Sequence, residues 1–443
     1  MPRLLRLALL GLRDMLASAG PVAVLAVAIL VGAYWYLQPQ PPRTVTLATG
    51  PAGSAYAAFG QRYAQALARD GITVVLRATE GSQDNLALLR NGGADVAFVR
   101  GGSADPVADG EAGLLSLGAL FYEPLWVFYR HDALRRTPQG LASLRRLRVN
   151  VDSPGSGVPD IVQRMLQANR IDPATMALSN LAPAPAAEAL RAGLLDVVVL
   201  ASAPESPLVQ QLLRSSGIGL LDLRHADAYT RIFPFFSAVQ LPRGIVDLAA
   251  DLPSSDVAMV AATTSLLARE DTHPALRQLF AQAAQTLHGE AGWFNRAREF
   301  PNTRTSELPV SAEGDRAING TPPFWQRYLP FWASNLVDRM WLVLGGLLVL
   351  LLPLSRVVPP LYTFRVRRRV FRWYGRLREI EARADRAERP AQALLDELDA
   401  LDRVVDKVAV PLSHTDELYA LRRNIHAVRK RVLAHGEAAT SAP

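Results

Sequence analysis

Three short stretches of this 443-residue chain combine glycine with small hydroxyl residues directly after an apolar run and before a helical one. The first is Thr49 to Tyr56, with Gly50, Gly53, Ser54 and Tyr56; the second is Thr79 to Asn85, with Gly81, Ser82 and Asn85. The third is Asp152 to Val158, with Gly155, Ser156 and Gly157. Glycine lets backbone approach a ligand closely, and a helix start presents unpaired N–H groups that favour an anion. Serine at such a place also serves as a helix cap, so each stretch alone admits a purely structural reading. Repeated at equivalent points, the three suggest a cleft that closes on an anion. The predicted ligand set is Gly53, Ser54, Tyr56, Ser82, Asn85, Arg100, Ser156 and Gly157.

Arg100 follows the apolar run Ala94 to Val99 directly. A guanidinium at the edge of a sheet offers a two-pronged fork to a carboxylate. The alternative is an ion pair with a neighbouring acid such as Asp95 or Asp105. Tyr122 and Glu123, before Pro124, line the same cleft or form a hinge, with hinge or packing preferred.

Catalysis has little support. Ser156 lacks the spacing of a nucleophile elbow, and His225 is the one histidine of the second half that could serve it. The seven histidines, at 131, 225, 273, 288, 414, 426 and 435, show no metal-ligand spacing. No phosphate-binding glycine loop is present, and the absence of cysteine removes thiolate chemistry and disulfides. No enzyme activity, cofactor or metal is expected.

The elements that must position these residues alternate in type. Thr44 to Thr49 reads as a strand, Tyr56 to Arg69 as a helix, Ile72 to Thr79 as a strand, Gln83 to Asn91 as a helix and Ala94 to Val99 as a strand. This is βαβαβ, the pattern of a parallel sheet covered on both faces. A second set runs through strand Leu147 to Val151, helix Val158 to Asn169, strand Met176 to Leu181, helix Pro185 to Ala192, strand Asp196 to Ala201, helix Pro207 to Arg214 and strand Ile218 to Leu223. Val257 to Thr264 is a late strand that could cross back to the first half, covered by helical Pro274 to His288 and Trp293 to Phe300.

Together, Val45 to Gly50 with Gly53 and Tyr56, Gly81-Ser82 with Asn85, Leu86, Leu88 and Leu89, and Gly93 to Ala97 resemble the TAXI family of TRAP-transporter solute-binding proteins. Pro154 to Gly157 lies where that family has its second glycine-serine turn. The resemblance covers most of Arg43 to about Pro301. It implies an α/β, two-lobed type II periplasmic-binding-protein fold that takes a small carboxylate ligand, a dicarboxylate or an acidic amino acid. It also implies a TRAP-type permease as partner.

Two apolar stretches flank this region, Pro21 to Leu37 and Met340 to Leu354. Arg3, Arg6 and Arg13 precede the first; Arg356 and the run Arg365, Arg367, Arg368, Arg369 and Arg372 follow the second. By the positive-inside rule both ends face the cytoplasm and the centre faces outward. Tyr34, Trp35 and Tyr36 suit an interfacial belt at the first span, which reads as an uncleaved anchor, and Phe324, Trp325, Tyr328, Phe331 and Trp332 suit one at the second. Such a membrane-anchored form departs from a freely diffusing receptor.

The formal charge of +7 is unevenly distributed. Residues 43–335 carry 26 basic and 27 acidic side chains, whereas residues 361–443 carry 17 and 12. The basicity is therefore beside the membrane, where it sets orientation and meets anionic lipid, and a nucleic-acid partner is not expected.

The expected organisation is a cytoplasmic N-terminus and anchor at 1–42 and a periplasmic binding region at 43–335. Within that region lobe 1 is about 43–130 and 255–310, and lobe 2 about 140–245. A second transmembrane helix follows at 336–362 and a cytoplasmic helical tail at 363–443. In the tail, helices broken at Pro390 and Pro411, with Ser413 as a cap, carry two apolar stripes that can pair as a hairpin. A docking or homodimer surface is the alternative. The expected protein is a bacterial inner-membrane solute-binding protein for import, or else a ligand sensor or assembly factor acting through its cytoplasmic helices.

Overall fold

The alternation of strand and helix read from the sequence appears in the structure with boundaries within a few residues. A computed structural model describes residues 3–38, 40–134, 138, 140–320, 324–386, 388–408, 410 and 415–440. After α1 (Arg3–Leu37) come β1 (Thr44–Ala48), α2 (Ala55–Ala68), β2 (Thr73–Arg77), α3 (Ser82–Arg90), β3 (Val96–Arg100), α4 (Pro106–Glu111) and β4 (Leu114–Arg130). The second half holds β5 (Arg148–Asn150), α5 (Val158–Ala168), β6 (Ala177–Ser179), α6 (Pro183–Arg191), β7 (Val197–Ala201), α7 (Pro207–Leu213), β8 (Ile218–Leu220), α8 (Ala226–Ile232) and β9 (Phe236–Leu241). The chain then returns through β10 (Val257–Arg269), α9 (Pro274–His288) and α10 (Ala312–Asn319).

Two long strands join the lobes. In the first lobe the order is β2-β1-β3-β10-β4; in the second, β4 continues beside β7, which leads to β5 and β6, with β8 on its other side. The sheets are mixed, not purely parallel. Strand β1 is parallel to β2 and β3, and β5 to β6 and β7, but β10 runs antiparallel to β3, β4 and β9. The chain leaves the first lobe along β4 and re-enters it along β10, which places these two strands antiparallel. Pro124 falls where β4 changes partners, from β10 up to that residue to β7 from Leu125 onward. Its missing N–H therefore costs little there.

Successive strand residues face opposite layers, and both layers are covered. Val96 and Phe98 join a core with Leu47, Tyr63, Leu266 and Phe280, while Ala97 and Val99 face Leu86 and Leu89. In the second lobe Val197 and Val199 pack with Val158, Ile161 and Met165, whereas Val198 and Leu200 pack with Trp126, Phe128 and Leu190.

The segment Trp293 to Phe300 is not helical. Gly289 and Gly292 precede it and Arg298 within it adopts φ 63°, so a regular helix does not run through. Its aromatics act as plugs: Phe294 lies edge-on to Trp126 at 6.1 Å, and Phe300 to Tyr122 at 4.9 Å. Phe331, expected at a membrane interface, packs instead on the first lobe's core. Phe324, Trp325 and Tyr328 are exposed, and the Trp332 side chain lies outside the described residues.

The chain divides into two compact units, Gln40–Leu336 and the flanking Met1–Pro39 with Val337–Pro443. In the flanking unit, α1 over Leu16–Leu37 and α11 (Phe331–Asp385) over Ala333–Asp385 are long and apolar enough to cross a membrane, with little of their apolar surface buried by protein. Helices α12 (Ala391–Val405) and α13 (Thr415–Thr440) complete the tail. The two expected stripes do meet, but α11 adds a third: Val370, Leu377 and Ile380 join Leu394, Leu398 and Leu401 of α12 and Leu421, Ile425 and Val428 of α13. The tail is thus a three-helix cluster, not a hairpin. Pro411 and Ser413 lie outside the described residues.

A fragment of residues 365–434 is expected to be helical by circular dichroism and to melt cooperatively, whereas residues 391–434 lose the α11 face and give a weakly helical, non-cooperative spectrum. Equal behaviour of both fragments would restore the hairpin.

Candidate functional site

Glu123 on β4, Thr264 on β10 and Arg100 at the end of β3 meet where the two long strands pass from lobe to lobe. Helix α2 brings Tyr56 to this point and α3 brings Ser82. The Tyr56 hydroxyl donates to Glu123 Oε2 at 2.7 Å, and Thr264 Oγ1 donates to the same oxygen at 2.6 Å. Ser82 Oγ accepts the Arg100 backbone N–H at 3.0 Å and lies 3.2 Å from the Tyr56 hydroxyl. Burial first, and then the charge of Glu123, keep the Tyr56 hydroxyl protonated far above its ordinary range.

Arg100 lies at the centre of this group and is 3% exposed. Its Nη1 is 3.9 Å from Glu123 Oε1, and its Nη2 donates across to the Ser156 carbonyl of the second lobe at 3.1 Å. Nε is buried and has no protein acceptor among the described residues. Its acidic partner is Glu123, not Asp95 or Asp105. Asp95 accepts the Thr46 N–H at 2.8 Å, and Asp105 caps α4.

A cleft of about 380 Å³ opens beside this group between the lobes. Of the eight residues expected to bind ligand, Gly53, Ser54, Tyr56, Ser82, Arg100 and Ser156 line it. Asn85 does not. Its amide nitrogen donates to the Thr49 and Phe98 carbonyls, both at 2.8 Å, and its oxygen accepts from Thr79 Oγ1 at 2.8 Å. It ties the ends of β1 and β3 together and is fully buried, away from the cleft. Gly157 does not line the cleft either; at φ 74°, a side chain there would meet Arg100 Nη2 at 3.1 Å. It makes room for the guanidinium.

The serines mainly cap. Ser54 Oγ accepts the Ala57 N–H at 3.2 Å, and Ser156 Oγ donates to the Ser153 carbonyl at 2.6 Å while accepting the Val158 N–H at 3.1 Å. Helix α3, by contrast, starts on Gly81 with no side-chain cap, so its first N–H groups remain available beside Ser82. The lobes touch here: a Cβ on Gly155 would stand 2.6 Å from Glu80 Cβ, and one on Gly81 would stand 2.9 Å from Ser156 Cα. Both glycines are needed for this closed contact.

Two acidic residues were not among the expected ligand set. In the sequence Glu123 reads as hinge or packing, and Asp152 as part of the glycine-serine turn. A glutamate inside the apolar run Leu114 to Arg130, and an aspartate at the carboxyl end of β5, are the signals that mark them. Asp152 adopts φ 67°, an uncommon conformation for a side-chain-bearing residue, and lines the cleft. Burial raises its carboxyl to about 6, against the opposing pull of the Ser153 N–H and Arg100. Much of the remaining wall is apolar, including Ala182 to Pro185, Leu200, Pro207 and Leu208. Among the described residues no group of acids and histidines could hold a metal ion.

Because the Asp152 carboxyl is raised on folding, its contribution favours the fold below about pH 4 and is lost as pH rises through about 6. Asp152→Asn is therefore expected to stabilise the central unit at pH 7.5 by about 1–3 kcal/mol, with the gain vanishing near pH 4. Thermal melts of both proteins across that range check the sign.

The chain is similar to several solved binding proteins. The periplasmic aliphatic sulphonate binding protein SsuA of Escherichia coli matches at 14% identity over 55% of this chain and 69% of its own, with a TM-score of 0.36. The alkanesulfonate-binding SsuA of Xanthomonas axonopodis pv. citri, bound to MOPS, matches at 16% over 64% and 86%, with a TM-score of 0.37. A putative L-cystine ABC transporter protein of Listeria monocytogenes matches at 14% over 56% and 90%, with a TM-score of 0.36. The family model described as NMT1-like matches residues 47–292, which include both lobes, the crossing strands and every cleft residue named above. That match spans more than half of the 443 residues, and the chain belongs to the NMT1-like family.

Proposed function

We propose that this chain is a membrane-anchored, extracytoplasmic solute-binding protein whose interlobe cleft holds the carboxylate of a small organic molecule. The observation that carries this reading is Arg100, a buried guanidinium in the cleft wall whose Nε has no protein acceptor among the described residues. A carboxylate there would accept from Nε and from the uncapped start of α3, where the helix dipole adds to the attraction. The apolar wall would hold the rest of the molecule. On this reading Gly53, Ser54, Tyr56, Ser82 and Ser156 shape the site, Asn85 and Gly157 support it from behind, and no covalent chemistry is required.

The resemblance to TAXI proteins supports handover to a TRAP-type permease, with α1 and α11 as anchors and the central unit outside. The arginines at the outer ends of both apolar segments support a topology with both termini in the cytoplasm. A second reading, a sensor reporting occupancy to a cytoplasmic partner, is favoured by one feature. Helix α11 runs unbroken for 55 residues, from Phe331 through the apolar stretch to Asp385 in the tail.

Arg100→Ala is expected to weaken binding of small carboxylates by about tenfold to a hundredfold, as loss of a charge-assisted hydrogen bond of roughly 1.5–3 kcal/mol implies. Calorimetry with the full chain in nanodiscs measures this; unchanged affinity would make Arg100 structural.

The topology can be read by labelling, since the chain has no native cysteine. Leu248 in the central unit is 88% exposed and suits this purpose. An impermeant thiol reagent applied to intact cells is expected to label Leu248→Cys and not Ala434→Cys. Labelling at 434 would overturn the two-span arrangement.

A further inference from the structure

A single anionic group does not account for the charges around the cleft. Arg100 supplies one positive charge, but Glu123 faces it at 3.9 Å, Asp152 lines the same space, and Glu80 adds a third carboxylate on the exposed rim. A dicarboxylate would bring its second negative charge into a region where acids already outnumber bases. An acidic amino acid meets the same obstacle at its side chain, or must place that carboxylate on a wall whose polar groups, Ser202, Ser206 and Gln211, carry no positive charge to balance it.

Asp152 points to what is missing. A buried carboxylate is tolerated when its charge is paired, and Asp152, 3% exposed, accepts the neutral Ser153 N–H at 2.6 Å while Arg100 is already shared with Glu123 and the Ser156 carbonyl. Glu123 has committed Oε2 to Tyr56 and Thr264, which leaves Oε1 facing Arg100 with capacity for another donor. A cation entering between these acids would relieve an unfavourable burial that the unliganded protein carries. The opposite wall, formed by residues such as Ala182, Pro183, Leu200 and Leu208, offers no charge to a ligand.

We propose that the solute is a zwitterion on an aliphatic frame, of the class of apolar α-amino acids. Its carboxylate lies against Arg100 and the start of α3, its ammonium against Asp152 and Glu123, and its side chain against the apolar wall. This rests on the solute-binding reading above and replaces the dicarboxylate and acidic amino acid that the family resemblance implied. Raising of the Asp152 carboxyl by burial fits the same picture, since a bound ammonium would favour its charged form.

Titration calorimetry of the full chain in nanodiscs, with L-leucine, L-valine, L-proline, 4-methylpentanoate, 3-methylbutylamine, succinate and L-glutamate as probes, tests the assignment. At least one apolar amino acid is expected to bind, with leucine at least tenfold tighter than either analogue carrying only one of its charges. Asp152→Asn is expected to remove most of the difference between leucine and 4-methylpentanoate while the variant still melts cooperatively at pH 7.5, which separates lost pairing from lost folding. Succinate or glutamate binding more tightly than every apolar amino acid would overturn the zwitterion and leave the solute-binding reading standing. Equal affinity for leucine and 4-methylpentanoate would overturn the role given to the acids. Binding of no probe by the folded chain would overturn both readings.

Discussion

A guanidinium taken out of water must be matched by acceptors, and in this protein that requirement falls on Arg100 at the crossing of the two long strands. Its acidic neighbour Glu123 comes from β4, and Glu123 is itself held by Thr264 from β10 and Tyr56 from α2. Four elements of the first lobe thus converge on one buried pair, and Nη2 of the same arginine reaches the Ser156 carbonyl of the second lobe. Breaking such a pair by removing one partner leaves an uncompensated charge, so the arrangement ties strand register to the state of the cleft. A slip of β4 by one residue would carry Glu123 to the other face of the sheet and strand Arg100.

The cleft inherits its two-sided character from this pair. Carboxylates and the guanidinium gather at the strand ends of the first lobe and at the β5 turn, while α6, α7 and the end of β7 contribute uncharged, mostly apolar residues. Glycines decide how closely the halves approach. Gly81 and Gly155 stand where any Cβ would collide with the facing loop, and Gly157 yields space to Arg100 itself. The serines that resemble ligand donors in sequence are spent on helix starts, with Ser82 anchoring the Arg100 backbone.

The flanking unit obeys different physics. Its apolar helices leave most of their surface unburied by protein, and three aliphatic faces in the tail bury one another. The excess of basic over acidic residues that gives the chain its high isoelectric point lies here, apart from the nearly neutral central region. Surface ion pairs such as Arg383 with Glu397 at 2.7 Å join the tail helices but add little individually.

Local periodicity made much of the fold legible. Short apolar runs such as Val45 to Ala48 and Val197 to Ala201 declare strands, and Pro274 to His288 declares a helix, because each pattern reports burial of its own element. The glycine-serine turns likewise marked the rim of the cleft, since tight backbone approach demands glycine wherever it occurs. Composition also located the two apolar helices and the neutral centre. What sequence could not supply were relations between distant residues. That β4 continues through Pro124 into the other lobe depends on which strands lie beside it. That Asn85 braces two strand ends depends on the carbonyls of Thr49 and Phe98, 36 and 13 residues away. Glu123 and Asp152 became cleft residues only when folding placed them beside Arg100, because the charge a ligand must carry is set by the sum over a site, and that sum exists only in three dimensions.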